Sequence, residues 1–94
     1  QYAALRFSGH AIKRMFEQHI RPSDVVTTLQ SGQTIAEYPE DKPFPSVLML
    51  AFIQEKPLHV AAAIDPVSNT CYVITAYWPD AGRWQPDFRT RSTE

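Results

Sequence analysis

The sequence predicts an α+β domain with two N-terminal helices packed on one face of a four-stranded antiparallel sheet. Three observations predict it. Apolar residues recur at helical spacing up to Leu29. After Gly32 the pattern changes to short strand-like runs. The breaks between the last three runs are too short for crossover helices, so those strands form an antiparallel meander. A chain of 94 residues makes one domain, 1–94, with a single two-layer core.

Gln1 to Phe7 reads as a short lead-in, with Tyr2, Leu5 and Phe7 available to pack. Ser8 is the N-cap of a first helix from Gly9 to about Gln18, because its hydroxyl can accept from a free first-turn amide. Ala11, Ile12, Met15 and Phe16 are expected to form its buried stripe. His19-Ile20-Arg21 links it to a second helix that opens on Pro22, where a missing N–H costs nothing. Asp24 suits the positive end of that helix. Val25, Val26 and Leu29 give its apolar side, and Gly32 is its C-cap glycine.

Gln33–Tyr38 reads as the first strand, and the proline-rich stretch 39–45 as a surface loop. Ser46–Gln54 shows little polar alternation, so both its faces are expected to be covered. Glu55-Lys56-Pro57 reads as a tight turn. Leu58–Ile64 follows, with Leu58, Val60, Ala62 and Ile64 on one face and His59, Ala61 and Ala63 on the other. Residues 65–69 form a turn by composition, and Thr70–Tyr77 is the fourth strand. The tail 78–94 carries Trp84 and Phe88, large aromatics that should pack back on the sheet.

At 44% hydrophobic and 20% charged residues, the chain is an ordinary globular protein. A formal net charge of −1 and no obvious basic stripe argue against tight non-specific nucleic-acid binding. The cations are unevenly spread, with Lys13, Arg14 and Arg21 in the helical part and Arg83, Arg89 and Arg91 in the tail. If these two ends meet, a positive site forms on a neutral protein. The longest apolar run, Val47 to Ile53, is strand length, so no membrane contact is expected. The lone Cys71 fits a reducing, cytoplasmic setting and reads as a buried inert thiol.

Two features carry chemistry. His10 and Arg14 stand four residues apart, so a helix stacks an imidazole and a guanidinium within reach of one anion; a solvated helix face is the alternative. His59 beside Ala61 and Ala63 makes a shallow hollow on the face the helices leave open, or simply fills that face. His10, His19 and His59 match no closed zinc spacing, and neither a metal nor a cofactor is expected.

Several stretches resemble one family. Gly9-His10-Ala11-x-x-Arg14-Met15, then Ile20-x-x-x-Asp24-Val25 and Leu29-x-x-Gly32, resemble the N-terminal signature of the DUF4258 family. Pro57-Leu58-His59-Val60 resembles its third strand. Val73-Ile74-Thr75-Ala76-Tyr77-x-Pro79, followed by Trp84-x-x-Asp87-Phe88-Arg89-x-Arg91, resembles its C-terminal end. One departure is Gln18-His19 before Ile20, where members often carry an arginine.

That family is similar to the RelE/ParE-like toxins, within a wider class shared with barnase-type ribonucleases. The resemblance implies a RelE/barnase-like fold and a toxin-like ribonuclease, or a relative that keeps the fold without the activity. It also implies an RNA substrate and an antitoxin partner of the MqsA type, with zinc-finger and helix-turn-helix parts. Metal-free RNA cleavage needs a base for the ribose 2′-hydroxyl, an acid for the leaving 5′-oxygen and a cation for the phosphate. His59 and His10 are the acid/base candidates, and Arg14 with Arg89 or Arg91 would hold the phosphate. Tyr77 would orient the nucleotide or donate a proton, and Trp84 would stack a base or pack in the core. A non-catalytic protein-binding module of the same fold is the competing reading.

Overall fold

A computed structural model describes residues 2–84 and 86–90. The order is β1 (Ala4–Phe7), α1 (Gly9–Gln18), α2 (Pro22–Ser31), β2 (Gln33–Tyr38), β3 (Ser46–Ile53), β4 (Lys56–Asp65) and β5 (Thr70–Tyr77). The fold is α+β, as expected, but the sheet has five strands in the order β1-β5-β4-β3-β2. Strands β2 to β5 form the antiparallel meander. The added strand, β1, is an edge strand parallel to β5, in register from Ala4 opposite Thr70 to Phe7 opposite Val73. Four residues with only Leu5 and Phe7 in alternation are too short to declare a period, so the sequence read as a lead-in.

Each helix is stopped and started by local chemistry. The Ser8 hydroxyl accepts from the Ala11 amide at 2.9 Å and donates to the Ile74 carbonyl at 3.0 Å, which pins the start of α1 to β5. His19 ends α1 in the left-handed conformation at φ 59°, while the Ile20 amide reaches back to Met15 O at 2.9 Å. Asp24 accepts from the Arg21 amide at 3.1 Å and holds its guanidinium through Nε and a terminal nitrogen. Gly32 does cap α2, but at φ −77°, so positive φ is not its reason. A Cβ there would lie 2.4 Å from Thr28 O and 2.8 Å from Leu50 O, both backbone atoms. Close approach of helix and sheet is what demands glycine.

The turn before β4 is Gln54-Glu55, both at positive φ, in place of the expected Glu55-Lys56-Pro57. Two left-handed residues match a two-residue hairpin whose twist suits the strands. Pro57 therefore lies inside β4, near its start and beyond the His59–Tyr77 end of the β5 register.

Both helices cover one face. Ala11, Met15, Ile20 and Val25 pack with Leu58, Val60, Val73 and Ala76 into the core cluster. The expected stripe of α1 is corrected: Ile12 is 58% and Phe16 is 85% exposed. The Ala11–Met15 line faces β5, and Ile12 and Phe16 stand about 100° further round the helix, where the layer has no further helix to meet them. On the opposite face, His59, Ala61 and Ala63 share a side as expected, and the tail returns across it with Trp84 buried.

Candidate functional site on the tail-covered face

The register sets residues of this face in rows across the sheet. Leu50, His59 and Tyr77 form one row. Ala36, Leu48, Ala61 and Thr75 form the next. Between Thr75 and Val73 the β5 register shifts by one, which leaves Ile74 as a bulge and brings Tyr72 opposite Ala63.

His59 is completely buried and held at both ring nitrogens. Nε2 lies 2.8 Å from the Phe88 carbonyl, which can only accept, so Nε2 carries the proton. Nδ1 is then the acceptor, and the Tyr77 hydroxyl donates to it at 3.3 Å. The rings of Trp84 and Tyr77 meet His59 edge-on, at 4.5 and 5.3 Å between centroids. Burial pushes the imidazole pKa below its ordinary value, against a smaller upward pull from the Phe88 carbonyl. The ring is therefore neutral at pH 7. Phe88 delivers that carbonyl from a left-handed backbone at φ 57°, a conformation that costs a bulky residue about 1–2 kcal/mol.

Tyr77 and Trp84 form a wall between two hollows. One, of about 380 Å³, is lined by Arg14, Gln18, Tyr77, Trp78, Asp80, Arg83 and Trp84. The other, of about 400 Å³, has Ala61 in its lining together with Thr75, Tyr38 and Arg89. The helical and tail cations thus share a site, since Arg14 and Arg83 both line the first hollow. Arg14 Nε is buried and has no hydrogen-bond partner among the described residues. Trp78 closes the base of this hollow by donating from Nε1 to the Gln18 carbonyl at 2.8 Å, with Lys56 Nζ 4.3 Å from its ring centroid.

The match to known families covers most of this architecture. The chain belongs to the DUF4258 family, a domain of unknown function, whose model matches residues 7–78. No curated protein and no solved structure matches it. The DUF4258 match takes in His10, Arg14, His59 and Tyr77, and it stops before Trp84, Phe88 and Arg89.

Of the residues singled out in the sequence, Arg14, His59, Tyr77, Trp84 and Arg89 come together. His10 does not join them: it is exposed in the first turn of α1 and lines neither hollow. Arg91 lies outside the described residues. Gln18 and the Phe88 carbonyl belong to the site and were missed, and Arg83 was named only as one of the tail cations. Pro79-Asp80-Ala81-Gly82 is a turn by composition, and that signal could have returned Arg83 to the sheet. Among the described residues no helix is long and apolar enough to cross a membrane.

Proposed function

We propose that this DUF4258 domain is a toxin-like endoribonuclease of RelE/barnase-like type that cleaves RNA by acid/base chemistry without a metal. The observation that carries the reading is the Tyr77 hydroxyl, bonded to a buried neutral His59 and placed between two arginine-bearing hollows. Arg14 and Arg83, which line one hollow, hold the scissile phosphate, and Arg89 in the other holds the flanking phosphate. Tyr77 Oη takes the 2′-hydroxyl proton as its own proton passes to Nδ1 of His59. The 2′-oxygen then attacks phosphorus and the P–O5′ bond breaks. The proton returns through Tyr77 to the leaving 5′-oxygen, giving a 2′,3′-cyclic phosphate and a 5′-hydroxyl. His59 never touches substrate in this scheme and acts as a positioning residue and proton store. His10 contacts the strand beyond the scissile phosphate, one helical turn from Arg14.

Cleavage of a mixed RNA in excess EDTA tests this. The wild type cleaves, while folded Tyr77→Phe and Arg14→Ala lose at least about 100-fold in rate. A folded wild type that leaves the RNA intact would sink the enzyme reading.

The second reading, a non-catalytic protein-binding module, draws on a different observation. Phe7, Ile12, Met15, Phe16, Ile20 and Pro22 line an apolar groove of about 310 Å³, with the cations Lys13 and Arg21 nearby in sequence. Its occupant would be an acidic, apolar segment of an MqsA-type antitoxin. On this reading the folded wild type leaves RNA intact, and Phe16→Asp abolishes antitoxin binding. The buried Cys71 thiol, its pKa pushed up to about 11 by burial, fits a cytoplasmic location under either reading.

A further inference from the structure

The rows of the tail-covered face continue past the proposed cleavage site. Arg6, Tyr72, Ala63, Ser46 and Tyr38 stand in register across all five strands. Above this row sits a third hollow, of about 520 Å³. Ala63, Ser46, Tyr72 and Ile74 line it from the sheet, and Asp41, Lys42 and Phe44 line it from the loop between β2 and β3. The Phe44 ring lies parallel to Tyr72, 5.7 Å between centroids and 4° between planes. Asp41 is fixed by the Ser46 hydroxyl, which donates to it at 2.6 Å.

We propose that this hollow is a base-binding subsite for single-stranded RNA, one nucleotide beyond the hollow that bears Arg89. The inference rests on the ribonuclease reading and extends it to a substrate several nucleotides long. Ala61 and Ala63 lie two residues apart on β4, a step of about 7 Å, which is the scale of one nucleotide in an extended strand. The small side chains of Ala61 and Ala63 leave room for a base to lie on the sheet. Phe44 and Tyr72 supply an aromatic surface for stacking, which tolerates any base. The Asp41 carboxylate accepts from an exocyclic amine or ring N–H at the base edge. Arg6, exposed at the β1 end of the row, and Lys42, exposed on the loop, supply the phosphate contacts.

The test uses 2′-fluoro RNA, which lacks the attacking hydroxyl and stays intact. Fluorescence anisotropy would compare a labelled dinucleotide with a pentanucleotide. Phe44→Ala, and Ala63→Leu, which fills the hollow from its floor, should each weaken pentanucleotide binding by about 10-fold. Dinucleotide binding should not move. Should either core-side change fail to fold, Arg6→Ala at an exposed position should lower the salt dependence of pentanucleotide binding by about 0.7 in log–log slope. Wild-type binding that none of these variants alters would overturn the subsite and leave the cleavage reading standing. Wild-type protein that binds neither oligonucleotide would overturn both.

Discussion

On one side of the sheet, Leu58, Val60, Val73 and Ala76 are fully buried against Ala11, Met15, Ile20 and Val25. On the other side, the same strands present His59, Ala61, Ala63, Tyr72 and Tyr77 to a tail, a loop and three hollows. The helix face is closed by aliphatic side chains that need no partner. The tail face is closed only in places, by aromatic rings and by hydrogen bonds that each require a partner of the right kind. The difference is physical. Aliphatic packing is non-directional and fills space. An aromatic and polar cover is directional, so it leaves gaps beside each fixed group, and those gaps are where a ligand can sit.

The comparison would break most clearly if stability were shared equally between the faces. Leu58→Ala opens a cavity in the helix-side core and should cost about 2–5 kcal/mol in urea unfolding. His59→Ala, one residue along and equally buried, should cost about 1–3 kcal/mol. The Tyr77 hydroxyl and the Phe88 carbonyl lose His59 as a partner, but water can enter from the adjacent hollows. Hydrogen exchange would separate the two cases. Leu58→Ala should raise exchange throughout the sheet, whereas His59→Ala should raise it first in the tail at Arg89 and Thr90. An equal, global effect of both changes would erase the distinction between the faces.

Acidity sharpens the same contrast. His59 is neutral in the fold, and its pKa is lowered by burial from an ordinary value of 6.5. The unfolded chain therefore binds a proton that the folded chain refuses, and stability rises with pH across that window. This stability is complete above about pH 6.5 and is lost as pH falls toward the lowered value. The slope is at most about 1.4 kcal/mol per pH unit. Asp65 and Asp87, whose carboxyls are held below their usual range by hydroxyl and amide donors, lose their contribution only at more acid pH. Wild type should therefore weaken between pH 7 and 5 while His59→Gln stays flat, as measured by the urea midpoint at each pH.

The helix face was largely legible in the sequence, and the tail face only in outline. Helix α1 and strand β5 appear with their observed limits, because a strong cap, helical periodicity and β-branched runs are all local signals. The split of β4 into Leu58, Val60, Ala62 against His59, Ala61, Ala63 follows from the strand period alone. What closes the second face is non-local. The Phe88 carbonyl reaches His59 across 29 residues of sequence, through a left-handed aromatic that no propensity announces. Strand β1 was missed for a similar reason: its pairing with β5 is set by the path of the whole chain. The stripe of α1 was read too wide, because periodicity says which residues share a side of a helix but not how far the neighbouring layer extends.

Phe16 is where that last point can be measured. It stands on the apolar stripe by sequence, and at 85% exposure it contributes almost nothing to the core. If the helix face is closed without it, Phe16→Ser should change stability by no more than about 0.5 kcal/mol, the ordinary range for an exposed position. Met15→Ser, one residue away and 6% exposed, should cost several times more. Two neighbours of similar hydrophobicity would then differ only in what they face. A large loss from Phe16→Ser would mean that the groove of Phe7, Ile12 and Phe16 closes in solution against the chain itself. The groove would then belong to the core, and the protein-binding reading would lose its one supporting surface.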